Sequence, residues 1–258
     1  MSWLLVIVLA IVQGLTEFLP VSSSGHLAFI SYIWNTEPSL FFTVLLHVGT
    51  LAAVIWVYRN EIAELLKGLF LKDRDSLVYT GYIFVTSFVT VLIALLGKRF
   101  FEDSYSNIPL IVVCWLVTAV LLFFTDRIRR SDASVSLKTA IVVGFFQGIA
   151  ILPGISRSGL TIIAALFMGV ERKKAAQYAF LVSIPVILGS AVFEFKDVLE
   201  SGNLHIPVIQ IIVGVILAAL TGYAAIQLFI KTVLKGRLVW FSVYLFLLAT
   251  VAVLHYIH

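Results

Sequence analysis

The sequence has few charged residues and a single cysteine, and both features limit the classes of protein to which it can belong. Only 12% of its 258 residues are charged, against about 25% in an average soluble domain. This excludes a disordered chain and a nucleic-acid-binding domain, since both classes are rich in charged residues. Cys114 has no second cysteine to pair with, so a secreted disulfide scaffold is also excluded.

Hydrophobic residues are what the sequence has in excess. They make up 61% of the chain, and the mean hydropathy is +1.07. Six apolar runs are long enough to cross a bilayer, which takes about 20 residues. These runs predict an all-α polytopic membrane protein with a single membrane domain, 1–258. The runs are roughly 40–58, 77–97, 108–125, 176–195, 206–230 and 238–257.

Two further apolar regions are broken by short polar turns. Residues 3–34 contain Pro-Val-Ser-Ser-Ser-Gly-His at 20–26, and residues 139–170 contain Pro-Gly-Ile-Ser-Arg-Ser-Gly at 153–159. Most of the apolar pieces beside these turns are too short to span, so each region predicts a re-entrant pair of short helices. Such irregular backbone is tolerated at membrane depth only where protein or a wet cavity surrounds it.

The two broken regions are copies of each other at an offset of 134 residues. Three long spans follow each hairpin, which predicts about ten helices in two repeats, 1–125 and 139–258. A hairpin returns to its own side and three spans cross once in total, so the second repeat is expected to be inverted. The matched pairs are Gln13 with Gln147, Gly14 with Gly148, Ser22 with Ser156, Ser24 with Ser158 and Gly25 with Gly159.

The charges in the loops predict the orientation in the membrane. Of the 18 Lys and Arg residues, fourteen fall in loops on one face and three in loops on the other. Because cytoplasmic loops are enriched in Lys and Arg, the first face is expected to be cytoplasmic and both termini extracytoplasmic. The fourteen are Arg59, Lys67, Lys72, Arg74, Arg127, Arg129, Arg130, Lys138, Arg172, Lys173, Lys174, Lys231, Lys235 and Arg237.

Two charged residues fall at predicted membrane depth. Arg157 lies in the second polar turn, and Glu17, the clearest buried carboxylate, lies just before the first. Burying either charge costs at least a few kcal/mol, so a function or a partner is expected. A structural ion pair between Arg157 and Glu17, holding the two repeats together, is the simplest alternative.

Both turns have the composition of an anion site. The segments 22–25 (Ser-Ser-Ser-Gly) and 156–159 (Ser-Arg-Ser-Gly) each open a helix, whose free N–H groups and dipole attract anions. Glycine lets the backbone approach a ligand closely, and Arg157 supplies a planar fork for phosphate oxygens. Two such turns meeting near the midplane predict one phosphate pocket. The alternative is that these serines and glycines only cap helices and allow close packing.

Further polar residues flank this predicted pocket. His26 follows the first turn, near Glu17 and three serine hydroxyls, and a Ser–His–Glu grouping could activate one of these hydroxyls for nucleophilic attack. Gln13 and Glu17 are four residues apart and share a helix face, which could instead hold a divalent cation through oxygen ligands. His47 is a weaker candidate for the pocket lining. The Phe, Tyr and Trp residues of the spans are interpreted as lipid-facing or interfacial.

These motifs resemble those of one family, the undecaprenyl-diphosphate phosphatases or bacitracin-resistance proteins. Residues 13–26 (Gln-Gly-Leu-Thr-Glu-Phe-Leu-Pro-Val-Ser-Ser-Ser-Gly-His) closely resemble its first signature, and residues 153–161 (Pro-Gly-Ile-Ser-Arg-Ser-Gly-Leu-Thr) look like its second. Residues 42–50 are similar to its third-helix segment, in which Gln is expected where this chain has His47. The resemblance covers essentially the whole chain.

The resemblance implies hydrolysis of undecaprenyl diphosphate to undecaprenyl phosphate and inorganic phosphate, which recycles the lipid carrier for peptidoglycan and confers bacitracin resistance. Carried over by position, Ser23 is the expected nucleophile, assisted by His26 and Glu17, while Arg157 neutralises the phosphoryl group. A divalent cation, Mg²⁺ or Ca²⁺, is expected near Glu17. The implied substrate-binding residues are Gln13, Ser22, Ser24, Gly25, His47, Gly154, Ser156, Ser158, Gly159 and Thr161.

Several alternatives stay open on the sequence alone. Inverted repeats with broken helices also suit a transporter or flippase for an anionic lipid, which needs Arg157 but no nucleophile. A purely structural membrane protein is the remaining alternative, and attack by water in place of Ser23 is an alternative chemistry. The expected partners are a polyprenyl diphosphate and the cell (plasma or inner) membrane, without nucleic acid, and homodimer formation is left open.

Overall fold

The computed structural model describes residues 1–36, 40–128, 131–201 and 206–257, with position 40 and positions 193–201 described by their backbone alone. Arg129 and Arg130, two of the basic loop residues counted above, lie outside the described residues. Apart from one isolated bridge between Ala133 and Val170, the regular structure in these ranges is helical, which confirms the all-α prediction. The helices are α1 (Trp3–Phe18), α2 (Ser23–Ile33), α3 (Leu40–Val57), α4 (Arg59–Phe70), α5 (Arg74–Leu96), α6 (Lys98–Ser104), α7 (Ile108–Thr125), α8 (Leu137–Ile149), α9 (Arg157–Phe167), α10 (Arg172–Ser201), α11 (Val208–Lys235) and α12 (Val239–Ile257).

The long apolar helices match the predicted spans, and the polytopic membrane fold is confirmed. By length and composition, five helices can cross a membrane, namely α5, α7, the first 21 residues of α10, α11 and α12. Taken together, α3 and α4 also pass this length and composition test, and the chain bends by 75° between them. Both α10 and α11 extend beyond the predicted runs, to include Arg172 and Lys235. Charged residues at the end of a span continue the helix because their long side chains can reach the head-group region.

The described structure has twelve helices, so the expectation of about ten was too low. The two additional helices, α4 and α6, lie in segments predicted to be loops. In α4, Ile62 and Leu65 pack against the core while Glu64 and Lys67 are exposed. Such an amphipathic helix is stabilised by its packed face rather than by a continuous apolar run, so a search for long apolar runs misses it.

Both predicted hairpins are pairs of short helices. The pair α1 and α2 is joined by the break at 19–22, and the pair α8 and α9 by the break at 150–156. A serine caps the start of each hairpin, where Ser2 Oγ accepts from Leu5 N–H at 3.3 Å and Ser136 Oγ accepts from Thr139 N–H at 3.2 Å. That the hairpins re-enter the membrane and that the repeats are inverted stay predictions.

Each hairpin packs against a long helix from the other half of the chain. α1 lies against α11 and α3, α8 lies against α5, and α7 packs along α12. Gly14 allows the close approach of α1 to α11, because a Cβ at this position would overlap Thr221 Oγ1 and lie 2.6 Å from the Ala218 carbonyl oxygen. Because α1 packs on α11 of the second half and α8 packs on α5 of the first half, the breaks of the two hairpins lie close together.

Candidate active site

Glu17, near the end of α1, is the residue on which the site is organised. Its side chain is 3% exposed, and both carboxylate oxygens accept hydrogen bonds. Oε1 accepts from Arg157 Nη2 at the start of α9, while Oε2 accepts from Ser23 Oγ at 2.7 Å and Gln13 Nε2 at 3.0 Å. His47 Nε2, on α3, lies 3.7 Å from Oε2. Four of the predicted site residues therefore surround one carboxylate.

The two polar turns, which were predicted to meet, are in direct contact. Ser22 Oγ accepts a hydrogen bond from Gly154 N–H at 3.0 Å, and Ser158 Oγ donates to the Leu19 carbonyl at 3.1 Å. Gly25 permits this approach, since a Cβ there would lie only 3.0 Å from Gly154 Cα. The breaks of the two hairpins are thus hydrogen-bonded to each other beside Glu17.

Matching serines cap the helices that follow the turns. Ser22 Oγ accepts from Gly25 N–H at 3.3 Å, and Ser156 Oγ accepts from Gly159 N–H at 3.1 Å. In both turns a second serine hydroxyl lies 3.2 Å from the capping hydroxyl, that of Ser24 in the first turn and that of Ser158 in the second. The capping interpretation is therefore correct for Ser22 and Ser156, and their role as phosphate ligands stays a prediction.

The first amides of α2 and α9 are left as hydrogen-bond donors. Within the described residues, the N–H groups of 23–24 and 157–158 have no acceptor, because the serine caps and the helical ladder begin at the next amide in each helix. Two helix N-termini with free N–H groups attract an anion. The Arg157 side chain is 20% exposed and has further N–H groups beyond the one that binds Glu17.

His26 departs from the predicted grouping with Ser23 and Glu17. Its Nδ1 lies 2.7 Å from the Ser22 carbonyl oxygen, and its Nε2 lies 2.7 Å from the hydroxyl of Tyr244 on α12. Within the described part of the chain, neither ring nitrogen bonds to Ser23 or Glu17. The serine and the carboxylate are instead bonded directly to each other.

A small cavity lies beside the Glu17–Arg157 pair, on the side that faces α10 and α11. Thr161 lines it, but its hydroxyl donates to the Arg157 carbonyl at 2.9 Å and so stabilises α9. The role of Thr161 as a phosphate ligand stays a prediction. The cavity is lined by Glu17, Phe18, Arg157, Ser158, Thr161, Ala179, Phe180, Ser183 and Phe229.

Two aromatic residues near the site were missed from the sequence. The interpretation of all span aromatics as lipid-facing is wrong for Trp115, which is fully buried and packs edge-on against His26 with ring centroids 5.6 Å apart. It is incomplete for Tyr244, whose hydroxyl binds the same imidazole. No sequence signal distinguishes these residues, because the sequence of an apolar run does not show whether a given Trp or Tyr faces the lipid or the protein interior.

The donor atoms around Glu17 fit a divalent cation only in part. No group of three or more His, Cys, Asp or Glu side chains capable of holding a metal is found in the described ranges. Gln13 Oε1, however, is buried beside Glu17 and has no hydrogen-bond partner among the described residues. Mg²⁺ commonly binds through one or two carboxylates together with substrate phosphates and water. These atoms therefore fit a cation shared with a diphosphate rather than one held by protein alone.

Comparison with known proteins extends the motif resemblance to the whole chain. A family model described as "Bacitracin resistance protein BacA" matches residues 6–251. Proteins named "Undecaprenyl-diphosphatase" from Alkaliphilus metalliredigens, Thermosipho africanus and Desulfatibacillum aliphaticivorans are each 40% identical to the chain. The alignments cover 96%, 95% and 100% of this chain and 96%, 97% and 100% of these relatives.

Proposed function

The chain belongs to the bacitracin resistance protein BacA family, and on that premise we propose that it hydrolyses undecaprenyl diphosphate to undecaprenyl phosphate and inorganic phosphate. Relatives named for this activity align with it over nearly their whole length. A lipid substrate suits a protein whose helices cross the bilayer. In this role the protein recycles the lipid carrier for peptidoglycan synthesis and confers resistance to bacitracin.

The observation that carries the proposal is the joint binding of Ser23 and Arg157 to Glu17, where two helix N-termini meet. A hydroxyl bonded to a carboxylate is a potential nucleophile next to a proton acceptor. The guanidinium and the free amides are donors for the oxygens of a phosphoryl group. A transporter of an anionic lipid has use for the cationic donors but none for a serine held on a carboxylate, so this contact favours the enzyme.

In the proposed reaction, Ser23 Oγ attacks the terminal phosphorus, and its proton passes to Glu17 Oε2, to which it already donates. The P–O bond to the lipid monophosphate breaks, and the lipid phosphate leaves. Water then attacks the phosphoserine and the P–O bond to Ser23 breaks. Ser23 Oγ takes back its proton from Glu17, and inorganic phosphate is released. Arg157 and the amides of 23–24 and 157–158 stabilise the charge on the phosphoryl oxygens, and such preorganised donors contribute several kcal/mol to phosphoryl transfer.

We also propose that a divalent cation, Mg²⁺ or Ca²⁺, takes part with the substrate. Glu17 and the free Oε1 of Gln13 would hold it together with phosphate oxygens. When bound, the cation supplies positive charge that offsets the charge of the diphosphate. Because Gln13 is neutral, the protein alone provides a single carboxylate for this purpose, and binding of the cation is expected to depend on the substrate.

Phosphate release by the purified protein in detergent tests the activity and the cation together. We expect release from farnesyl diphosphate or a longer polyprenyl diphosphate, and none from farnesyl monophosphate, because a lipid phosphate is a much better leaving group than a prenyl alkoxide. Treatment with EDTA should lower the rate at least about tenfold, and Mg²⁺ or Ca²⁺ should restore it. Absence of release with both cations present would refute the proposed phosphatase activity. A rate that is unchanged by EDTA would refute only the proposed requirement for a divalent cation.

We infer from the loop charges that the protein lies in the plasma (inner) membrane with both termini, and the opening of the first hairpin, extracytoplasmic. The matched caps of α2 and α9 and the matched packing of α1 on α11 and α8 on α5 support two inverted repeats, 1–125 and 139–258. In that arrangement each repeat crosses the membrane an odd number of times.

Reporter fusions test this topology. Alkaline phosphatase, which is active only outside the cytoplasm, should be active when fused after His258 and inactive when fused after Ser134, between the repeats. The reason is that the second repeat must start on the cytoplasmic side and end on the other. Equal reporter activity at the two positions would contradict the inversion of the repeats. Reporter activity at Ser134 alone would show that the protein has the opposite orientation in the membrane.

A further inference from the structure

The hydrogen bonds of His26 determine which of its ring nitrogens carries the proton. Its Nδ1 lies 2.7 Å from the Ser22 carbonyl oxygen, which can only accept, so Nδ1 must donate. In the neutral imidazole, Nε2 is then the acceptor. The Tyr244 hydroxyl, 2.7 Å from Nε2, is therefore the donor in the second bond. His26 is thus held in a single tautomer by one group in the break before α2 and one on α12.

The surrounding rings restrict the imidazole further. The Tyr244 and His26 rings are almost parallel, with an interplanar angle of 2° and centroids 5.7 Å apart. Trp115 meets the imidazole edge-on from α7, at an interplanar angle of 65°. A rotation of the His26 side chain would break the bond to Tyr244 and collide with the buried indole. Tyr244 is the only one of these contacts that reaches Nε2 in the described structure.

The link also connects parts of the chain that are far apart. His26 lies in the first turn of α2, one turn after Ser23, whereas Tyr244 belongs to α12 near the end of the chain. The described contacts between α2 and α12 include aromatic and histidine side chains, such as the edge-on packing of Phe29 and His255 at an interplanar angle of 86°. Tyr244 is thus the point at which the last helix acts on the loop that carries the proposed nucleophile.

We propose that Tyr244 is a positioning residue for the phosphatase reaction, through its hydrogen bond to His26 Nε2. The inference rests on the proposed function, since it assigns to the same site a residue that no motif contains. The hydroxyl holds the imidazole with Nδ1 protonated and Nε2 as a proton acceptor. Without it, Nε2 loses its donor and the ring is held less firmly, which weakens the bond from Nδ1–H to the carbonyl of Ser22, the residue before Ser23. Tyr244 touches neither Ser23 nor Glu17 in the described structure, so its effect must pass through His26.

Replacement of Tyr244 by Phe tests this role with little change in packing. The side chain is 43% exposed, so the ring can stay in place when the hydroxyl is removed. We expect kcat for phosphate release to fall about tenfold, the value of one hydrogen bond, with KM within about twofold of wild type. Tyr256→Phe is the matched control, because it removes the same group from an exposed tyrosine of the same helix, and it should leave both constants unchanged.

A spectroscopic measurement separates positioning from a general loss of activity. In [¹⁵N]histidine-labelled protein, His26 should give the nitrogen shifts of a neutral ring protonated at Nδ1, with the signals assigned by their loss in His26→Gln. Tyr244→Phe should move the Nε2 shift, because this acceptor nitrogen loses its hydrogen-bond donor, while the Ser22 carbonyl keeps Nδ1 protonated. Tyr256→Phe should move neither shift. A kcat equal to that of Tyr256→Phe, a rise in KM alone, or unchanged His26 shifts in Tyr244→Phe would each overturn the inference.

The same measurements distinguish this inference from the proposed function. If wild-type protein releases no phosphate, the phosphatase proposal fails and the positioning role fails with it, whatever the nitrogen shifts show. If wild-type protein is active but Tyr244→Phe matches its control, only the role of Tyr244 fails.

Discussion

Replacing Arg157 by Lys is expected to lower kcat for phosphate release by about 10²–10³-fold, the usual loss when a main charge-stabilising donor is removed. Lysine keeps the positive charge and can still pair with Glu17, but it lacks the planar fork that binds two phosphate oxygens at once. The substitution therefore separates two roles of Arg157, the ion pair with Glu17 that the structure shows and the proposed binding of the phosphoryl group. Steady-state kinetics with a polyprenyl diphosphate, together with a thermal unfolding curve, measure both.

Arg172→Lys provides the matched control for this prediction. The Arg172 guanidinium donates to the Val233 carbonyl at 3.2 Å, at the end of α11, and a lysine ammonium can make the same bond. We expect this variant to keep nearly full activity. If Arg157→Lys also keeps most of its activity, the ion pair with Glu17 is the whole function of Arg157, and the simplest structural alternative is correct.

Replacing Ser23 by Ala is expected to reduce kcat by more than about 10³-fold, because it removes the attacking oxygen itself. Ser23 is the serine hydroxyl of the first turn that donates to Glu17, at 2.7 Å. Among the described residues, the hydrogen-bond partner of the Ser24 hydroxyl is the capping hydroxyl of Ser22, at 3.2 Å. Ser24→Ala should therefore lower kcat only a few-fold, about the effect of losing one weak hydrogen bond.

The intermediate gives a second and independent measurement. If Ser23 attacks, acid quenching of the wild-type protein during turnover of a β-³²P-labelled substrate should trap a phosphoserine at position 23, and Ser23→Ala should show no label. Small and similar losses in Ser23→Ala and Ser24→Ala, without a trapped phosphoserine, would show instead that water attacks the phosphorus.

The sequence predicts the membrane fold and the contact between the two hairpins well, for identifiable reasons. A span must be both long and apolar, so runs such as 108–125 in α7 mark the helices almost to the residue. Charges and hydroxyls in the remaining apolar regions are costly unless they find partners. That cost is why Glu17 and Arg157 could be expected at one site, where the structure has them bonded.

The sequence does not reveal features that depend on how helices are rotated or on local packing. α4 was missed because one packed face stabilises it, and packing is not visible in composition. His26 was expected beside Ser23 because the two residues are close in the chain. The direction of an imidazole depends on its partners, and one of these, Tyr244, is 218 residues away. Residues such as Trp115 become recognisable only when the neighbouring helix is in place.

The contact between Ser22 and Gly154 has a consequence for how the protein is made. Ser22 is not a glycine, yet it adopts φ of +69°, which its surroundings must maintain. One of those surroundings, the Gly154 amide, is 132 residues further along the chain. During synthesis the first hairpin therefore leaves the ribosome long before its partner exists. Because the proposed pocket needs both hairpins, a chain truncated before Gly154 is expected to have no phosphatase activity.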